Sequence, residues 1–255
     1  MENILELINA HQLTPVSWFF SFLAAFLLGT SKAGIKGVGV VIVTLMAIVF
    51  GGKSSTGALI PMMLFADFMA VIYYNKYTQW NYLVKLMPTM VIGVLIGVWF
   101  GNDISDEVFK RIMAILILGI VIFMIIMEKR KSTAVPNTRI FSNTMGLLSG
   151  FTSMIGNLAG AFSNIYFLAM RFPKNEFIGT AAWLFFIINI FKLPFHIFVW
   201  KTISVETLTI NVVLIPAILI GFFLGIKLVK LINNDAYRKF IIIVTAIGAL
   251  VLLFK

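Results

Sequence analysis

Pro88 to Gly97 reads PTMVIGVLIG and Pro216 to Gly225 reads PAILIGFFLG, so one hydrophobic, glycine-marked helix occurs twice, 128 positions apart in a chain of 255. The same offset continues into the next turn and helix: Ser105-Asp106-Glu107 answers Asn233-Asn234-Asp235, and Phe109-Lys110-Arg111 answers Tyr237-Arg238-Lys239. A shared spacing that runs through a helix, a polar turn and an aromatic-basic helix start marks an internal duplication. Weaker echoes at an offset near 122 set Lys53 to Gly57 against Lys174 to Gly179, and Asp67 against Asn189. The two offsets are reconciled by about six extra residues in the second half, near Phe191 to Lys201.

The duplicated unit belongs in a bilayer. With 60% hydrophobic and only 12% charged residues, the chain has too little polar surface to cover a soluble body. Apolar runs such as Thr89 to Gly101 and Phe240 to Phe254 are flanked by charge and have the length of hydrocarbon-spanning helices, not the alternation of a β-barrel. Cysteine is absent and only His11 and His196 are present, which excludes disulfides, thiol catalysis and histidine-cluster metal sites. A net charge of +10 on such a chain reflects basic cytoplasmic loops, not nucleic-acid binding. Residues 1–15, with Glu2, Glu6 and no basic residue, lack the basic region of a cleavable signal and are expected to stay attached as an interfacial segment.

Each half resolves into five hydrophobic segments, two short ones joined through glycine-rich sequence and then three long ones. They run at about 16–31, 37–50, 54–74, 83–100 and 108–127, then at about 140–153, 157–170, 176–199, 207–230 and 237–254. The expected fold is therefore an all-α polytopic membrane protein. A first repeat at 16–128 and a second at 140–255 flank a cytoplasmic linker at 129–139, which holds Lys129-Arg130-Lys131 and Pro136. Placing that linker inside puts twelve Lys and Arg residues on the cytoplasmic side and five outside. Both termini are then external and the halves have opposite orientation. Inverted-topology repeats, each a broken-helix hairpin followed by three transmembrane helices, are the architecture of secondary transporters, with the substrate held near the midplane.

The candidate site lies where the helices break, because free N–H groups at an interrupted helix favour anions. The breaks read GTSKAGIKGVG from Gly29 to Gly39 and GFTSMIGNLAG from Gly150 to Gly160. Both pair small residues with adjacent hydroxyls, and irregular backbone at that depth must line a cavity or lie inside protein. Candidate substrate-binding residues are Thr30, Ser31, Lys32, Gly34 and Gly37 in the first break and Thr152, Ser153, Gly156 and Asn157 in the second. Asn189 and Lys192 in the eighth segment complete the set. Ionisable residues in apolar segments are costly and informative. Lys32 and Lys192 are read either as ligands or as lysines reaching the interface, and Asp67 as a charge-balancing or coupling group. Gly93, Gly97, Gly101, Gly221 and Gly225 read as helix-packing faces.

Quoted together, LLGTSKAGIKGVG, ADFMAVIYY, GLLSGFTSMIGNLAG, NEFIGTAAW and INIFKLPF resemble the TauE/SafE family of membrane anion permeases over nearly the whole chain. The resemblance implies transport, often export, of small sulfur-containing anions such as sulfite, sulfoacetate or another organosulfonate. It places the family's characteristic patches on Thr30 to Gly39, Asp67, Thr152 to Gly160, and Asn189 with Lys192. The second break, GNLAG from Gly156 to Gly160, is poorer in glycine than the family pattern. The substrate within the family stays open.

The expectation is a secondary transporter of such an anion in the cytoplasmic membrane, working by alternating access. An anion channel or a permease for another small oxyanion or carboxylate is the alternative. A membrane-embedded enzyme would need paired aspartates or an HExxH-type motif, and the segments offer neither. The expected partners are a small anionic substrate and the lipid bilayer, with a homodimer left open, and no cofactor is expected.

Overall fold

The computed structural model describes residues 13–109 and 138–234, with positions 111, 112, 115, 119, 236 and 237. Most of the segments at 108–127 and 237–254, the linker at 129–137 and residues 1–12 lie outside the described residues.

The α-helices whose bounds fall within the described residues are α1 (Pro15–Lys32), α2 (Gly39–Phe50), α3 (Gly52–Tyr74), α4 (Trp80–Asn102), α5 (Arg139–Gly156), α6 (Ala159–Ala169), α7 (Lys174–Pro194) and α8 (Val205–Leu231). They are the first four segments of each half. Polar side chains start them: Thr14 accepts from Ser17 N–H at α1, Thr138 from Phe141 N–H at α5, and Ser204 and Thr207 form a reciprocal capping box at α8. Among the described residues, four helical stretches, 52–77, 80–102, 174–199 and 205–231, are long and apolar enough to cross a membrane. The protein is an all-helical membrane protein by this measure, and α2 and α6 are shorter apolar helices.

The first helix of each half packs on the fourth helix of the other, so that α1 lies on α8 and α5 on α4. Glycine explains why these pairs close so tightly. A Cβ on Gly29 would run into the backbone of Ile218 and Phe222, and one on Gly150 into the backbone of Met90 and Val94. Ile218 and Phe222 lie 128 positions beyond Met90 and Val94, so the two contacts are copies of each other. Gly93 and Gly221 face the partner backbone in the same way, at Leu147 and Phe26. Without a hydrophobic force between helices in lipid, such backbone approach supplies dispersion contacts that bulky side chains would prevent.

At the centre, α3 packs on α7. A Cβ on Gly57, near the start of α3, would meet Thr202 just past the end of α7, and one on Gly179, near the start of α7, would meet Tyr74 at the end of α3. The two helices thus run antiparallel, and between those ends Asn189 Nδ2 donates to Asp67 Oδ2 over 2.7 Å. These two residues are the pair that the 122-residue echo aligns. The starts of α3 and α7 are capped in parallel fashion: Asp106 Oδ1 accepts from Lys53 N–H at 2.7 Å, and Asn234 Oδ1 from Lys174 N–H at 3.1 Å. Asp106 and Asn234 are again 128 positions apart.

The halves differ between their third and fourth helices. Residues 75–79 join α3 to α4, whereas 195–204 join α7 to α8, five residues more. The excess is taken up by a π-helical turn at Phe195–Val199 and by Lys201, which sits at φ 50°. His196 is buried in that turn, with Nδ1 2.9 Å from Thr202 Oγ1 and its ring edge-on to Trp200.

Candidate functional site

The breaks are shorter than the sequence pattern suggests. Gly29 to Lys32 complete α1 and Gly150 to Gly156 complete α5, so the interruptions are 33–38 and 157–158 alone. The hydroxyl pairs therefore stand on intact helix ends. Thr30 Oγ1 donates to Leu27 C=O at 2.8 Å and Thr152 Oγ1 to Leu148 C=O at 2.7 Å, the local bonding that lets threonine sit in an apolar helix. Gly29 and Gly150 stay helical where they abut a neighbouring backbone, a close contact that offsets the entropic cost of glycine in a helix.

The first break turns through Gly34 at φ 127° and Gly37 at φ 98°, conformations that L side chains rarely adopt. Its carbonyls are held from outside the loop: Tyr74 Oη donates to Ala33 C=O at 2.9 Å and Tyr237 Oη to Gly34 C=O at 2.6 Å. The second break turns at Asn157, left-handed at φ 54°, one of the few non-glycine residues suited to that region. The Asn157 side chain then binds in two directions, Nδ2 donating to Thr56 C=O at 3.0 Å and Oδ1 accepting from Lys192 Nζ at 2.7 Å.

Between the breaks lies a cavity of about 90 Å³. One water needs about 10–15 Å³ on this measure, so the space suits a small polyatomic ion. Ser31, Lys32 and Gly37 line it from the first half, and Ser153, Asn157, Asn189 and Lys192 from the second. Leu28, Val40, Ile42, Met63 and Phe185 make most of its wall apolar. The starts of α2 and α6 also face it through Gly39 and through Ala159 and Gly160, and neither start carries a side-chain cap. Their first N–H groups, with the positive end of each helix dipole, therefore lie at the wall.

Four of the expected site residues stand elsewhere. Thr30, Gly34, Thr152 and Gly156 are not in the cavity wall. Thr30 and Thr152 turn their hydroxyls back to their own helices, Gly34 packs against Ile178 and Val229, and Gly156 closes the last turn of α5. Asp67 lies one layer behind the wall, where it ion-pairs with Lys32 Nζ at 2.8 Å and accepts from Asn189. Lys192 is fully buried, and its ammonium donates to Ser153 C=O at 3.0 Å as well as to Asn157. An ammonium at this depth is costly unless such acceptors surround it.

A sequence model of the family described as sulfite exporter TauE/SafE matches residues 21–252 of the chain. The chain belongs to the TauE/SafE family. No curated protein and no solved structure matches it. It is thus a membrane protein of a transporter family, in agreement with its resemblance to that family at the level of sequence.

Two residues of this TauE/SafE cavity escape the sequence reading. Lys36, inside the first break, is only 4% exposed and reaches the cavity with Nζ 3.2 Å from Ser31 C=O. Asn164, on α6, lines the same space, and its Oδ1 is buried without a hydrogen-bond partner. The signal for Lys36 is the same as for Lys32, a lysine within a glycine-rich break. The signal for Asn164 is a lone amide in the otherwise apolar run IYFLA and its neighbours.

Proposed function

We propose that this protein is a secondary transporter that carries a small sulfur-containing oxyanion, sulfite or an organosulfonate, across the cytoplasmic membrane. The single observation that carries the reading is the convergence of lysines from both halves, with two uncapped helix starts, on one small cavity in a TauE/SafE chain. Such a cavity is complementary to oxygen-bearing anions: ammonium groups supply charge, and helix N–H groups, Ser31, Asn157 and Asn189 supply hydrogen bonds. Mostly apolar walls exclude water and strengthen those interactions.

The halves are inverted repeats in this reading, and alternating access is their exchange of conformation. The antiparallel crossing of α3 and α7, with Asp67 and Asn189 between them, supports it, as do the reciprocal contacts of α1 with α8 and of α5 with α4. Twelve basic residues on one side against five on the other support a cytoplasmic linker and external termini. Lys32 is balanced by Asp67 and Lys192 by neutral oxygens, and an arriving anion draws on the same groups. The description of the family as a sulfite exporter supports export as the direction of transport.

A thermal-shift screen of the purified protein against sulfite, sulfate, thiosulfate, sulfoacetate and simple carboxylates tests the substrate class. A ligand at a hundred times its Kd stabilises the folded state by about 2.7 kcal/mol. Selective stabilisation by sulfite or a sulfonate is expected. A response confined to carboxylates, or no response, contradicts the proposal.

A further inference from the structure

Resting on the transporter reading above, we infer that the cavity takes a doubly charged sulfur oxyanion in preference to a singly charged one, and that Lys36 sets this preference. The charges at the site are unequal. Lys32, Lys36 and Lys192 all line the cavity, and among the described residues around it Asp67 is the one carboxylate that meets them. Asp67 is committed to Lys32 at 2.8 Å, so the amines of Lys36 and Lys192 face the cavity with neutral oxygens for company and no carboxylate of their own. The two uncapped helix starts add roughly half a positive charge each. A monoanion leaves much of this charge unbalanced in a place where unbalanced charge is costly, whereas a dianion offsets the greater part of it.

The three lysines are not equivalent. An ammonium has three N–H donors. Lys192 spends two of them, on Ser153 C=O and Asn157 Oδ1, and Lys32 has its ion pair. Lys36 has one acceptor, Ser31 C=O, at a long 3.2 Å, together with the face of Phe185 at 5.7 Å. The same ring carries Lys32 at 4.7 Å, so one phenyl ring serves two lysines whose like charges repel. Lys36 is 4% exposed and so does not reach out of the protein for water. Of the substrates open to the transporter, the sulfite dianion and sulfoacetate fit this demand and simple alkylsulfonates do not.

Isothermal titration of the full-length protein in detergent, with sulfoacetate, sulfite and methanesulfonate as probes at one shared neutral pH, tests the inference. The unmodified protein is expected to bind a dianion at least about tenfold more tightly than methanesulfonate, a difference of about 1.4 kcal/mol. Lys36→Met should remove most of that ratio by weakening dianion binding while methanesulfonate changes less than about twofold, and Lys36→Arg should restore it. Equal affinity for dianion and monoanion in the unmodified protein overturns the inference while leaving the transporter reading intact. An unchanged ratio in Lys36→Met overturns the role of Lys36. Failure to bind any of the three contradicts the anion site itself, and the inference with it.

Discussion

Asp67 holds the buried charge of the first half in place, between Lys32 at 2.8 Å and Asn189 at 2.7 Å. Removing one partner of a buried ion pair strands the other, at a cost of about 3–5 kcal/mol. Asp67→Asn is therefore expected to lower the melting temperature markedly, and adding Lys32→Met should recover part of the loss; a double variant no more stable than the single one would count against the pair. Asn157→Gly keeps the left-handed turn but deletes the contacts to Lys192 Nζ and Thr56 C=O. It should cost about 1–3 kcal/mol, the penalty of leaving a buried donor short of an acceptor, read from thermal melting in detergent. At this scale the sequence marks the expensive residues but not their bonds. Lys32, Asp67 and Lys192 stand out because charge is rare in apolar segments. That Asp67 serves Lys32, and Asn157 serves Lys192, depends on contacts across 35 positions in each case.

The helices themselves are legible because their signals are local. Apolar runs and the repeated proline-glycine pattern bring the expected segments close to the observed α1 to α8. The breaks are less legible, because glycine signals both a turn and a close approach. Gly34 and Gly37 turn the chain, whereas Gly29 and Gly150 continue a helix pressed on another backbone, and only the neighbour decides which. This predicts a contrast between two similar substitutions. Gly150→Ala drives a methyl into the Met90 backbone and should cost about 1–3 kcal/mol, while Gly39→Ala, with nothing within 4 Å of its Cβ, should be close to neutral. Melting temperatures of the two variants check it, and equal values would contradict the packing account.

For the whole molecule, duplication in the sequence becomes a claim about orientation. The connections at 75–79 and 195–204 lie at opposite ends of the antiparallel α3 and α7 pair, with Lys76 in one and Lys201 in the other, both exposed. As the chain has no cysteine, Lys76→Cys and Lys201→Cys each introduce a single thiol. In intact cells a membrane-impermeant thiol reagent should label the Lys201 variant, and the Lys76 variant only after permeabilisation; labelling of both from one side would contradict the inverted arrangement. The shared cavity is the part least visible beforehand, since Lys36, Asn164 and the helix starts converge only once the two halves are folded together. The most direct measurement is transport of radiolabelled sulfite into proteoliposomes loaded with unlabelled sulfite. The account predicts saturable counterflow that transiently accumulates label inside and is lost in Lys192→Met. Flux that rises linearly with concentration, or counterflow unaffected by that substitution, would contradict it.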